Sequence, residues 1–384
     1  MGFKETVLFM MNMVKKSLQL ELNSFFESVL RKDFTISKQA YSKARQNLKP
    51  ELFLDLSDSV IKGFYEECDD YKLWNGYRLS AIDSTVLEIP NTELLQQEFG
   101  YSKNQNEEVA RARALCIYDV QNRLIIKSII GRVDVSEIVM AKHLINQMLT
   151  DGIKKELILF DRGFPSIELV SLLIDNGIDF VMRTKRNFSK AVVNATKEDQ
   201  IIKMKYNKKF YEVRVLRFLL RSGEEEILIT SLLDKKINTK EFKSLYFKRW
   251  GIETKYNDLK NKLQIENFTG TTKISIEQDF YASIYLSNMI ELARIQNEEM
   301  IQDRHKDKVL KYEYKANLNM LIGTLKDKFI IMLLEKSRRK RNKMFKEIMD
   351  QVARNSIPIR PERQNPRKKT IVRGRYMLNK KRCL

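Results

Sequence analysis

Histidine and cysteine are scarce in this chain, with two of the first and three of the second in 384 residues. The cysteines (Cys68, Cys116 and Cys383) are odd in number and lack metal-ligand spacing, which excludes a disulfide framework and a zinc finger and fits a reducing compartment. His143 and His305 stand apart and offer neither a metal site nor a catalytic triad, so a structural or surface role suits both. Glycine (13) and proline (6) are few, which excludes a low-complexity or fibrous protein. No apolar run reaches the roughly 18 residues that span a bilayer, so no membrane partner is expected. The short apolar stretch from Val7 to Met13 follows Glu5 and lacks a small-residue cleavage site, unlike a signal peptide. A cytoplasmic protein is the expectation.

Acidic residues are also outnumbered, 50 against 70 basic ones, for a net charge of +20. A field of that sign attracts polyanions. Half of it sits at one end: from Arg354 to Leu384 eleven basic residues face a single acid, Glu362. That bias favours a polyphosphate partner over charge spread for solubility. With 43% hydrophobic residues the chain can bury a substantial core, and its length predicts two or three domains, or one core with long additions.

Residues 1–72 read as helical. Ser37 is placed to cap a helix over KQAYSKARQNL, with Ala40, Tyr41, Ala44 and Leu48 at helical spacing and Lys38, Lys43, Arg45 and Lys49 on and around it. Such a helix is either an ordinary amphipathic surface helix or one that enters a DNA groove. From about residue 75 the period changes to that of strands. Tyr77 to Asp83 alternates, two β runs meet at a turn near Gln121-Asn122, and a helix starts at Ser136 with Asp134 and Glu137 placed as a capping box. The apolar run ELILFD ends at Asp161; a helix over 167–175, an Asn-Gly stop and the strand IDFVMRT follow. This order describes a mixed sheet with flanking helices. Residues 188–235 alternate, with a Ser-Gly turn at 222–223, and read as a β-rich insertion. Single helices are expected over 239–264 and 276–300, and further helices after 310, with the basic run Lys336 to Lys343.

Three carboxylates stand out. Asp83 closes an apolar strand face and Asp161 ends a fully apolar run, and either is costly to bury unpaired. Strand ends of α/β sheets are where sites collect, although aspartate is also a common turn or cap residue. In FKSLYFKRWGIETKYNDLKNKL, Tyr246, Arg249, Glu253 and Lys260 fall on one side of a helix, with Ile252, Tyr256, Leu259 and Leu263 on the adjoining stripe. One carboxylate between two cations and a phenol suits a metal ligand flanked by phosphate contacts, and equally describes a solvated charged face.

The spacing Tyr-x2-Arg-x3-Glu-x6-Lys resembles the signature of the DDE transposases of bacterial insertion sequences, in the family named after insertion sequence four. The likeness extends to AIDST (81–85), LFDRGFPS (159–166), SKQAYSKARQNLKPELF (37–53), ENFTG (266–270) and IPIRPERQNPRKK (357–369), and so covers most of the chain. The resemblance implies a ribonuclease-H-like α/β catalytic core at 73–300 with its β-rich insertion, between a helical DNA-binding region (1–72) and a helical C-terminal region with a basic tail (301–384). It implies that Asp83, Asp161 and Glu253 bind two divalent ions, Mg²⁺ or Mn²⁺, while Tyr246, Arg249 and Lys260 grip the DNA backbone. The implied partners are double-stranded DNA, both terminal inverted repeats and target, and a second subunit in a DNA-dependent homodimer on the bacterial nucleoid. Relatives can pass through a DNA hairpin with a flipped base stacked on tryptophan. Here the only tryptophans are Trp74 and Trp250, outside the insertion, leaving Phe210, Tyr211 or Phe218 as substitutes. The alternatives are a nuclease or resolvase on the same core, and an inactive transposase-derived DNA-binding protein.

Overall fold

A computed structural model describes residues 1–12, 17–103, 107–150, 155–220 and 223–360. The basic tail beyond Arg360 with Cys383, Ser222 of the expected turn and Met13 lie outside the described residues. In chain order the helices are α1 (Phe3–Met10), α2 (Leu18–Ser24, followed by a π-helical turn at Phe25–Val29), α3 (Lys38–Arg45), α4 (Glu51–Glu67), α5 (Glu93–Phe99), α6 (Glu137–Thr150) and α7 (Ile167–Asp175). They continue as α8 (Lys190–Asn194), α9 (Thr239–Phe247), α10 (Trp250–Asn261), α11 (Lys273–His305), α12 (Leu318–Leu334) and α13 (Arg338–Arg354). The strands are β1 (Arg78–Glu88), β2 (Tyr101–Lys103), β3 (Glu108–Asp119), β4 (Leu124–Arg132), β5 (Glu156–Phe160), β6 (Asp179–Thr184), β7 (Asp199–Tyr206), β8 (Lys209–Leu219), β9 (Glu225–Thr230), β10 (Tyr314–Lys315) and β11 (Ile357–Pro358). No helix among the described residues is long and apolar enough to cross a membrane.

The described residues divide into two compact units, one within 58–87 and 98–258, the other within 1–57, 88–97 and 259–360. The first is built on a nine-stranded mixed sheet in the order β2-β3-β1-β5-β6-β9-β8-β7, with β4 paired to β3. This is the expected mixed sheet flanked by helices. β5 lies between β1 and β6 and is parallel to both, and all five of its residues are buried. A strand covered on both faces reads as a continuous apolar run, which is how ELILF reads. Its one carboxylate, Glu156, is buried beside Arg78 at 2.7 Å and Ser80. α7 returns the chain to β6. Ser166 Oγ caps it by accepting from the Leu169 amide at 3.1 Å, and Gly177 (φ 68°) supplies the left-handed stop after Asn176.

The strands within residues 188–235 extend this sheet. β9 pairs antiparallel with β6 (Val181 with Thr230 to Thr184 with Ile227), and β8 and β7 follow as further strands of the same sheet. A correction concerns α6. Asp134 pairs with Arg132 at 2.8 Å and Glu137 turns to Ser84 and Arg113, so the two form no capping box; only Ser136 Oγ meets an early amide, that of Ile138.

The other unit is largely helical. Thr272 caps the 33-residue α11, whose buried side includes Ile276, Phe280, Ile284 and Ile290. The N-terminal part is helical as expected, and Ser37 Oγ caps α3 through the Ala40 amide. Not all of its cations face outward, however. Arg45 is 3% exposed and donates to Gln278 (2.7 Å), Thr269 (2.6 Å), the Ser275 carbonyl (3.0 Å) and Asp279 (2.7 Å). Ala40 is exposed, while Lys38, Lys43 and Lys49 remain the outward cations of this segment. The basic run Lys336 to Lys343 leads into and opens α13, whose later turns bury Ile348, Met349 and Val352.

Candidate active site

The parallel pairing of β1 with β5 runs from Arg78–Glu156 to Ile82–Phe160 and stops there. The next residue on each chain is a carboxylate, Asp83 on one and Asp161 on the other. Parallel neighbours deliver both to the same end of the sheet, the carboxyl end of the strands, where sites of open α/β sheets form. Asp83 is therefore not the last residue of its strand, as the alternation suggested. β1 continues to Glu88, and Asp83 marks the point where it parts from β5.

Asp83 is held from three sides. Its Oδ1 accepts from the Ser84 amide at 2.8 Å, its carbonyl from the Tyr256 hydroxyl at 2.7 Å, and Arg249 NH1 lies 3.4 Å from Oδ2. Burial pushes its carboxyl up to about 6; the Ser84 amide and Arg249 oppose the rise, while the carboxylates of Asp161 and Glu137 add to it. Charge crowding of this kind favours a bound cation.

The helix expected over 239–264 is broken. α9 ends at Phe247, Lys248 and Arg249 form a turn, and α10 starts at Trp250. Three-residue bonds close that turn, Arg249 amide to Tyr246 carbonyl (3.0 Å) and Gly251 amide to Lys248 carbonyl (3.0 Å). The single straight helix, and with it the common arc for the four signature residues, does not hold. The turn instead lets Arg249 bridge two carboxylates, with NH2 at 2.8 Å from Glu253 Oε1 and NH1 at 3.4 Å from Asp83. Arg249 is 4% exposed, whereas the Glu253 side chain is 38% exposed. Tyr246 is also buried; its hydroxyl donates to the Phe160 carbonyl at 3.3 Å and lies 3.4 Å from Asp161 Oδ1. Burial raises that hydroxyl above its ordinary range, which keeps it a donor. Ile252, Tyr256 and Leu259 are buried as expected.

Asp83, Asp161, Tyr246, Arg249 and Glu253 thus come together. Lys260, in the last turn of α10, pairs with Glu266 at 3.5 Å. Among the described residues no group of three or more His, Cys, Asp or Glu side chains is gathered closely enough to hold a metal ion. The donor chemistry nevertheless fits a hard divalent ion, because every acceptor is a carboxylate oxygen. In this structure the Arg249 guanidinium supplies the positive charge between Asp83 and Glu253.

Residue spacing did not single out several groups here. Glu137 binds Ser84 and Arg113. Tyr256 was placed only as a core residue, yet its hydroxyl anchors the Asp83 backbone. Glu226, from the insertion, is 6% exposed and lies 3.1 Å from Arg183; burial pushes its carboxyl up against Arg183 and Arg162. The one local signal was the glycine in Asp161-Arg162-Gly163, which marks a close approach. Of the aromatics weighed for base stacking, Tyr211 is buried and bonded to Asp175 at 2.9 Å, Phe218 is half-buried and Phe210 (61%) is exposed.

The family model described as "Transposase DDE domain" matches residues 74–289, which include this sheet and its strand-end carboxylates. The chain belongs to this family and is a DDE transposase. Among solved structures it is similar to a piggyBac transposase, "Cryo-EM structure of piggyBac transposase synaptic complex with hairpin DNA", at 12% identity and a TM-score of 0.45, over 90% of this chain and 75% of that one. No curated protein matches it.

Proposed function

We propose that this transposase cuts the ends of an insertion sequence and joins them to target DNA, with Asp83, Asp161 and Glu253 as the catalytic carboxylates. The observation that carries the reading is the convergence of Asp83 and Asp161 where β1 and β5 part, with Arg249 linking Asp83 to Glu253, all inside the family-matched span. Two divalent ions, Mg²⁺ or Mn²⁺, held by these three residues would activate the attacking oxygen and stabilise the leaving one. Water first cleaves the phosphodiester at the element's end, leaving a 3′-hydroxyl on the element and a 5′-phosphate on the flank; that hydroxyl then attacks a target phosphodiester and displaces a target 3′-hydroxyl. Arg249, which here bridges Asp83 and Glu253, has a fork suited to phosphate; Tyr246 would donate its hydroxyl and Lys260 would add a point charge.

Placement in the insertion-sequence-four family rests on the signature Tyr246, Arg249, Glu253, Lys260. Residues 1–72 bind the terminal inverted repeats, with Lys38, Lys43 and Lys49 outward. Residues 301–384 and their basic tail add backbone contacts. The working form is a DNA-bound homodimer on the bacterial nucleoid, since joining two ends to one target requires two active sites.

The test incubates purified full-length protein, Mg²⁺, a pre-cut element end and a plasmid target. Covalent end–plasmid products that vanish in Asp161→Ala support the reading. Cleavage of uncut ends without joining would identify a nuclease or resolvase, and binding alone an inactive DNA-binding protein.

A further inference from the structure

Two short segments hold the paired aspartates, Asp83-Ser84 within β1 and Asp161-Arg162-Gly163 after β5. Glu137, the first residue of α6, meets both. Its Oε1 accepts from Ser84 Oγ and from Arg113 NH1 at 2.8 Å. Arg113 is itself fixed, with NH1 3.1 Å from Ser84 Oγ and with Nε and NH2 donating to the Val133 carbonyl at 3.3 and 3.0 Å. The other oxygen, Oε2, faces the second segment: a Cβ at Gly163 would stand 3.2 Å from it, tighter than side chains ordinarily pack. Glycine at 163 therefore opens the space that the Glu137 carboxylate fills. The Glu137 side chain is thus directed to these distant segments.

We propose that Glu137 is a positioning residue for the catalytic carboxylates: braced by Arg113, it fixes Ser84, and through it Asp83, against the Asp161–Gly163 turn. The inference rests on the reading that Asp83 and Asp161 hold divalent cations. Ser84 is the link, because its amide donates to Asp83 Oδ1 at 2.8 Å while its hydroxyl is held by Glu137. Freed of that hold, Asp83 must be ordered anew each time a cation binds. Loss of a partner that orients a metal ligand typically weakens cation affinity or activity about 10–100-fold.

The test uses the full chain bound to a duplex carrying a pre-cut end. Mn²⁺ affinity is measured by calorimetry, the Mg²⁺ midpoint by nicking, and DNA-end affinity and Tm in parallel, for Glu137→Ala, Glu137→Gln, Gly163→Ala and Asp161→Ala. Glu137→Ala and Gly163→Ala should weaken Mn²⁺ binding about 10-fold or more and raise the Mg²⁺ midpoint to match, with end affinity and Tm held. Glu137→Gln should recover most of the loss, since its amide oxygen still accepts from Ser84 and Arg113. Wild-type Mn²⁺ affinity in Glu137→Ala, or a loss that only follows a fall in Tm, overturns the inference. If Asp161→Ala loses Mn²⁺ while Glu137→Ala does not, the carboxylate reading survives and only the positioning role fails. Undiminished Mn²⁺ binding by Asp161→Ala removes both.

Discussion

Asp83 and Asp161 each follow directly on Ile82 and Phe160, the last partners in the parallel ladder between β1 and β5. Strand pairing alone therefore brings the two carboxylates to one end of the sheet, with no help from a loop. Replacing either, or Glu253, with Ala should abolish end cleavage and strand transfer together. End binding should stay within about 3-fold, because affinity for DNA comes mainly from phosphate contacts elsewhere. Gel-shift and nicking assays on the same preparations check this, and an Asp161→Ala protein that still nicks in Mg²⁺ would refute the assignment.

Arg249 holds Asp83 and Glu253 together, so Arg249→Ala leaves carboxylates near one another without their cation. Loss of a buried partner costs several kcal/mol; because Glu253 is more than a third exposed, a discounted figure of about 1–3 kcal/mol is expected. Added Mg²⁺ should raise the Tm of Arg249→Ala more than that of the wild type. Equal shifts would mean that cations and the guanidinium do not share a place.

Arg45 and Lys43 lie two residues apart on α3, one buried in a four-partner network and the other exposed. Arg45→Ala should destabilise by about 3–5 kcal/mol, stranding Asp279, while Lys43→Ala should change stability by no more than about 0.5 kcal/mol. If Lys43 contacts phosphate, its loss should flatten the salt dependence of end binding by about one slope unit. Denaturant melts and salt titrations separate the two roles.

The Arg214 guanidinium, 1% exposed, holds the Asp199 carboxyl below its ordinary range through contacts of 2.8 and 2.6 Å. A carboxyl lowered by folding stabilises the native state fully above its unfolded value near 3.8, and that contribution is lost as pH falls through the lower folded value. The stability gap between wild type and Asp199→Asn should thus be constant from pH 7 to about 5 and narrow below about 4. Urea melts at several pH values check the sign; a gap that widens with acid would contradict the pairing.

What the sequence showed depended on how local each cause is. β5 was legible because five consecutive buried residues leave no polar alternation, and α7 because Ser166 and Asn176-Gly177 punctuate it. The expected site residues Asp83 and Asp161 stood out as lone carboxylates ending apolar runs. The break at Lys248–Arg249 was hidden, since no proline marks it and apolar spacing continues across it. Arg45 was misplaced because a cation near the end of a short helix looks solvated unless Gln278 and Asp279, over 230 residues on, are known to meet it. The insertion's alternation was plain, but not which strand it would pair with; only β6, with its free edge, decides that.

That seam between β6 and β9 bears on how the molecule acquires its site. Arg78 joins Glu156 across 78 residues, and Arg249 joins Asp83 across 166. Chain closure over such spans must be offset before any contact forms, so folding is governed by topology and should be slow for the size of this unit. Because β9 pairs with β6 and leads the chain into α9 and α10, the position of Glu253 is tied to that of the insertion, and a chain in which that pairing is lost should keep Asp83 and Asp161 together more readily than it keeps Glu253 with them.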